Sequence, residues 1–194
     1  MYQDTFQRAI EQIDHINAGD PNTEHYKGKE YPKELLYAQR MSDTLDSFEP
    51  KASNALKIAA RAQHIARWKI ERLTYSMDRV GYLRWREDLK KMHAKMTSEI
   101  LDKIGYESKF IESVSDLIRK KMLKKNADAQ CLEDVVCLVF LTYYFEDFAQ
   151  KHSEKKLIEI LQKTWTKMSK KGQASALELP LDTRSKSLIQ KALS

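Results

Sequence analysis

Apolar residues recur at helical spacing along almost the whole chain. Over residues 4–17 the side chains of Phe6, Ala9, Ile10, Ile13 and Ile16 fall on one face and predict a helix. Gly19 and Pro21 end it, and residues 23–31 read as a loop. Pro32 suits the first turn of a second helix, where a missing N–H costs nothing; it carries Leu35, Leu36, Met41, Leu45 and Phe48 and stops before Pro50. Ser53 or Asn54 caps a third, expected to run to about residue 72 with Ala55, Leu56, Ala59, Ala60 and Ile65 inside. After an irregular stretch around Tyr75–Met77, a fourth helix spans Asp78 to Ile104, closed by Gly105. A fifth covers about residues 107–125, with Phe110, Ile111, Val114, Leu117 and Ile118 buried. Residues 129–150 are apolar on every side around Val135–Leu141, which places that helix at the centre. A seventh, about 154–171, shows Leu157, Ile160, Leu161, Trp165 and Met168 and ends at Gly172; a short helix capped by Thr183 follows Pro180.

The pattern predicts an all-α fold, a bundle of about seven helices around one central apolar helix. Residues 1–194 form a single domain, with 172–194 as a short extension packed on it. Five glycines and four prolines are too few punctuators for a many-stranded sheet. Cys131 and Cys137 are six residues apart and do not share a helical face, so no disulfide is expected between them. The opening Met1–Asp4 is polar and no run of about 18 apolar residues exists, so neither a signal peptide, a membrane span nor a membrane partner is expected, and the cytoplasm is the expected compartment.

The net charge of +6 is unevenly placed. Residues 1–50 hold 5 Lys or Arg against 10 Asp or Glu, so the remainder carries +11 and points to an anionic partner.

Phosphate-binding glycine loops, dinucleotide fingerprints, His-Glu-x-x-His and Gly-x-Ser-x-Gly are all missing, which disfavours kinases, dehydrogenases and serine hydrolases. Four clusters carry candidate chemistry. Glu133 and Asp134 are adjacent carboxylates at the start of the most apolar helix; they suit either the positive end of a helix or a catalytic or metal-ligating role. Arg61, His64, Trp68 and Arg72 step by three, four and four along the third helix, with Arg67 beside them, and form an expected clamp for phosphate oxygens. Arg79, Tyr82, Trp85, Arg86 and His93 cluster on the fourth helix. Lys163 and Lys167 flank Trp165 on the seventh, and Lys163 is the one expected near a ligand.

These residues also carry a resemblance. The stretches Ile13–Asp14, Ile16–Ala18, Asp20–Asn22, Glu34–Tyr37, Arg40–Met41, Ala60–Ile65, Arg67–Trp68, Asp78–Arg79, Gly81–Tyr82, Trp85–Arg86, His93–Ala94, Leu132–Asp134, Cys137–Leu141, Lys163–Trp165 and Lys167–Ser169 together resemble the uncharacterised family DUF 4202. That family tends to have proline where this chain has Glu71 and Ser76, so the turn after the third helix is expected to differ. More distantly, the order His64, His93, Asp134 is similar to the helical histidine–aspartate (HD) phosphohydrolases. That likeness implies a divalent metal held by these three residues, while Ala94, standing where that superfamily has aspartate, limits the site to one ion.

Two functions are open at this point. One is a metal-dependent hydrolase of a phosphorylated small molecule or nucleotide, with metal-bound water as nucleophile, Arg61, Arg67, Arg72 and Arg86 on the phosphate, and Glu133 orienting the water. The other is a module for RNA or another polyanion, in which Trp68, Tyr75, Tyr82 and Trp85 stack bases among Arg67, Arg72, Arg79, Arg84 and Arg86; a scaffold role without catalysis is its neighbour.

Overall fold

A computed structural model describes residues 2–121 and 125–194, and helices dominate it as the apolar spacing requires. In chain order they are α1 (Tyr2–Asn17), α2 (Lys33–Phe48), α3 (Asn54–Arg61), α4 (Arg79–Ile104), α5 (Ser108–Ile118), α6 (Ala127–Val139), α7 (Phe145–Gln150), α8 (Glu154–Lys167), α9 (Lys170–Leu177) and α10 (Thr183–Leu193). The all-α expectation therefore holds in outline, but ten helices stand among the described residues where about seven were expected.

The extra elements come from breaks that apolar periodicity does not register. The expected third helix stops at Arg61, and the chain continues through turns at Arg67–Lys69 and Arg72–Thr74. The helix closes at Ala62, at φ −90° and ψ 4°, and four residues on Ala66 adopts φ +53°, a left-handed conformation that keeps an α-helix from resuming through it. Its N–H is taken by the buried side chain of Asn17, whose Oδ1 lies 3.0 Å away. The expected 129–150 helix is interrupted by one wide π-type turn, Phe140–Tyr144, between α6 and α7. The expected helix 154–171 ends at Lys167, because Ser169 starts α9; Gly172 lies inside α9 instead of terminating α8. Asp182, not Thr183, caps α10. The fifth helix ends at Ile118, and residues 122–124 of its expected span lie outside the described residues.

Residues 23–32 are an antiparallel hairpin, β1 (Thr23–Tyr26) and β2 (Lys29–Pro32), not a loop. Lys27 and Gly28 make its two-residue turn with φ +49° and +75°, the left-handed pair that matches strand twist. Strands of four residues are too short for their alternation to stand out from the surrounding helical pattern.

Two apolar cores share one helix. Ala9, Ile13, Met41, Leu45, Leu56, Leu101, Val114, Leu132, Val135 and Val139 form the first, from α1 to α6. Cys137, Leu138, Leu141, Phe145, Leu157, Leu161 and Leu188 form the second, from α6 to α10. Helix α6 gives opposite faces to the two cores, which explains its all-round apolar sequence. Cys131 and Cys137 are free thiols. Among the described residues no helix is long and apolar enough to cross a membrane.

Candidate functional site

Four segments meet at one cleft of about 380 Å³, lined by Lys33, Glu34 and Tyr37 of α2, His64 and Arg67 of the turn after α3, Tyr82 and Arg86 of α4, and Val136, Phe140 and Tyr144 of α6 and its π-type turn. Each contributing segment is held by a specific local device. Asp20 turns the chain into α2: its Oδ1 accepts from Asn22 N–H and its Oδ2 accepts from Glu34 N–H at 3.0 Å. That bond fixes Glu34 in the first turn, where the helix leaves its N–H groups without internal partners. Asn17 fixes the Ala66 turn, and so the placement of His64 and Arg67 on either side of it. Asp78 caps α4 by accepting from Gly81 N–H at 2.7 Å, one turn before Trp85 and Arg86. Left-handed Ala66 and the π-type turn are both conformations that concentrate at functional sites.

At the centre, His64 stacks on Tyr37 with ring centroids 3.9 Å apart. Its Nδ1 lies 3.1 Å from Glu34 Oε2, and Arg67 Nη1 lies 3.0 Å from its Nε2. A guanidinium can only donate, so Nε2 is the acceptor and Nδ1 carries the proton toward Glu34. Arg67 also lies 3.8 Å from Glu34 Oε1 and packs 4.8 Å from the centroid of the Trp85 ring. Arg86 lies 5.7 Å from the centroid of Tyr82. Behind His64, with ring centroids 6.2 Å apart, the buried His93 donates from Nδ1 to the carbonyl of Ile65 at 2.7 Å, and its Nε2 has no partner.

Burial raises the Glu34 carboxyl to about 7, against the opposing pull of Arg67. Burial, and then the cations Arg67, Lys120 and Arg86, push His64 well below the usual imidazole range. Burial and the neighbouring His64 bring His93 down to about 3. Both imidazoles are therefore neutral at pH 7, while Glu34 is near its midpoint.

Because the folded protein binds a proton on Glu34 more tightly than the unfolded chain does, the stability this group contributes is complete below about 4.5 and is lost as pH rises through about 7. Glu34→Gln keeps an acceptor for His64 but cannot ionise. Its unfolding free energy in urea is expected to improve relative to wild type as pH rises from 4.5 to 7 and then level off. A difference independent of pH would show that Glu34 is not the group held protonated.

Four residues of the expected anion clamp and aromatic cluster converge here: Arg67 and Arg86 on the cleft, Tyr82 at its edge, and Trp85 beneath Arg67. Others go elsewhere. Arg61 forms a two-point ion pair with Asp14, Nε and Nη2 each 2.6 Å from a carboxylate oxygen, and has left the clamp because the helix ends under it. Arg72 braces its own loop by donating to the carbonyls of Tyr75, Ser76 and Asp78. Trp68 lies in the turn, half-buried, and Arg79 and Lys163 are exposed and outside the cleft lining. Of the aromatics expected to stack bases, Tyr82 is exposed, Trp68 and Tyr75 are half-buried and Trp85 is buried; the Trp85 indole donates to Ile70 O and the Tyr75 hydroxyl to Asp88.

The expected metal set does not assemble either. His64 and His93 are neighbours, but both Asp134 oxygens face α9: Oδ1 accepts from Ser169 N–H at 2.7 Å and from Gln130, and Oδ2 accepts from the Ser169 hydroxyl. Glu133 is paired with Lys120. The only acceptor nitrogen of His64 meets a guanidinium, an arrangement that repels a cation. Among the described residues, no group of three or more His, Cys, Asp or Glu is placed to hold a metal ion.

The site missed by residue-type reasoning is the α2 side. Glu34, Tyr37 and Lys33 were not singled out chemically, although Glu34–Tyr37 is among the stretches that carry the family resemblance. The available signal was a carboxylate in the first turn of a helix, which reads as ordinary dipole pairing until its burial is known.

Fold and cleft together define a helical protein with a cation-lined, aromatic-walled pocket around a carboxylate–imidazole pair. Residues 7–189 match the family described as a domain of unknown function, DUF4202, and the chain belongs to that family. No curated protein and no solved structure matches it, so the similarity to HD phosphohydrolases gains no support from either comparison.

Proposed function

We propose that this cleft binds the phosphate of a small phosphorylated molecule and hydrolyses the ester with His64 as base. The observation that carries the reading is the convergence of Lys33, Arg67 and Arg86 with the Glu34–His64 pair on one cleft. Guanidinium groups match phosphate oxygens two at a time, and a cleft of about 380 Å³ suits a metabolite. The phosphate draws Arg67 away from His64 Nε2, and its negative charge offsets the cations that add to burial in holding the imidazole acidic. Ligand binding thereby raises the basicity of His64 from that depressed level. Nε2 then accepts a proton from water as the water oxygen bonds to phosphorus, and Glu34 stabilises the imidazolium as the carboxylate of a triad does; the ester P–O bond breaks on the opposite side of phosphorus, its oxygen taking a proton from water there, and His64 returns its own proton to solvent. Lys33, Arg67 and Arg86 offset charge on the phosphoryl oxygens, so the chain's own cations fill the role first expected of a metal.

The test is calorimetric titration with inorganic phosphate and with a sugar phosphate, followed by release of phosphate from the latter. Arg67→Gln and Arg86→Gln are each expected to weaken binding at least about tenfold, the range of one charge-assisted hydrogen bond. His64→Gln should bind but not turn over. Equal affinity in all variants, or binding of single-stranded RNA without phosphate binding, would overturn the reading.

A further inference from the structure

Seven large apolar side chains are exposed among the described residues, and five of them, Leu73, Met77, Val80, Tyr82 and Leu83, fall in one eleven-residue stretch. The aliphatic four are open to solvent: Leu73 79%, Met77 70%, Val80 56% and Leu83 54%. Scattered exposed leucines need no explanation, but a contiguous group does.

The segment that presents them is built. Arg72 donates to the carbonyls of Tyr75 and Ser76 at 3.2 and 2.8 Å, Trp85 Nε1 ties down Ile70 O at 2.9 Å, and Tyr75 Oη bonds Asp88 at 3.0 Å. These bonds hold the turn's backbone against α4 while Leu73 and Met77 project outward. Val80 and Leu83 continue the patch on the first turn of α4, three residues apart and so on one face.

The surroundings are cationic. Residues 67–86 hold six Lys or Arg against two Asp or Glu, and Lys69, Arg79 and Arg84 are exposed beside the apolar group. Of the two acids, Asp78 is occupied as the cap of α4.

We propose that this face is a docking surface for an anionic lipid membrane, contacted at its surface and not spanned. Aliphatic side chains at the centre enter the boundary between headgroups and acyl chains, and the flanking Lys69, Arg79 and Arg84 meet the lipid phosphates. Charge decides against a second copy of the chain: pairing this face with itself would set three cations against three. Chemistry decides against nucleic acid, since four of the five side chains are aliphatic and Tyr82 is the one ring among them on which a base can stack. The proposal stands apart from the phosphate reading, although Tyr82 belongs to both the patch and the cleft wall.

Flotation of the full chain with vesicles tests it, comparing phosphatidylcholine alone with phosphatidylcholine containing about one-third phosphatidylserine. Binding is expected only to the anionic vesicles and is expected to weaken as salt is raised. Leu73→Glu with Leu83→Glu should reduce it at least tenfold, since two buried leucines are lost and two like charges added. Both positions are exposed, so folding should survive, as circular dichroism would show. Arg67→Gln should leave flotation unchanged, which keeps this result separate from the cleft. Three outcomes overturn the proposal: no flotation with anionic vesicles at low salt, flotation that the double glutamate variant retains, or a wild-type dimer in solution that the same variant dissolves.

Discussion

Asp134→Ala is expected to lower the unfolding free energy by about 3 kcal/mol while leaving phosphate affinity unchanged. The buried carboxylate accepts three hydrogen bonds, from the amide and hydroxyl of Ser169 and from Gln130, and so ties the start of α9 to α6. Ser169 in turn caps α9 by accepting from Gly172 N–H at 3.0 Å. Removing the carboxylate leaves the Ser169 amide and hydroxyl short of a partner inside the protein; an unpaired buried donor costs about 1–3 kcal/mol, and the two half-buried groups of Ser169 together come to about the upper end of that range. Gly172 gives a second reading of the same contact. A Cβ built there would stand 2.6 Å from Asp134 Oδ1, so Gly172→Ala is destabilising in the wild type. In the Asp134→Ala background the two closest contacts are gone and only that with Cβ at 3.1 Å remains, so the same change should cost much less. Urea unfolding of the four proteins measures that coupling. Strict additivity, or an Asp134→Ala variant that is stable but cannot bind phosphate, would return Asp134 to the site.

The contrast between Asp134 and Glu34 shows what residue type and spacing carry. Both are acids near the start of a helix. Asp134 attracted attention because its helix is apolar all round, yet its buried position is explained by a backbone amide on α9, 35 residues away in sequence. Glu34 stands in the first turn of α2, where acids are ordinary, and its burial depends on Tyr37, His64 and Arg67, assembled from two segments. Helical spacing correctly placed the centre of the fold at α6 and the long α4 between Asp78 and Gly105, because apolar stripes and caps are local features. It overran at Arg61, and no helix resumes beyond it, since Ala66 is left-handed with its N–H held by Asn17 from another helix. The arginines were judged as one stripe, and the break divides them: Arg67 reaches the cleft, Arg61 turns to Asp14 and Arg72 stays with its own loop. Tertiary bonds of this kind leave no period in a sequence.

Lys120 and Glu133 lie deeper, near the Glu34–His64 pair, and breaking them is expected to have the largest effect on stability. Lys120 sits just beyond α5 at φ +56°, where a helix end usually has glycine. Its N–H bonds Leu117 O and the next N–H bonds Asp116 O, the double bond that closes a left-handed helix terminus. A lysine in this conformation is strained, yet it delivers an ammonium group to the buried Glu133 carboxylate. Burial lowers the Lys120 pKa more than the carboxylate raises it, whereas for Glu133 burial, the largest single cause, is outweighed by Lys120 together with Lys167 and Arg86, which hold the carboxyl below its usual range. A depressed carboxylate contributes stability above its unfolded value of about 4.5, and that stability is lost as pH falls through the folded value. Lys120→Met removes the partner and leaves a buried charge, which costs about 3–5 kcal/mol at pH 7. The unpaired carboxyl then titrates upward, so the deficit should shrink as pH falls toward 5. Adding Glu133→Gln to Lys120→Met should recover most of the loss at pH 7, because a neutral amide needs no counter-charge. If Lys120→Met were as stable as wild type at pH 7, the ion pair would contribute nothing net to the fold, and the lysine would be held there for the cleft beside it instead.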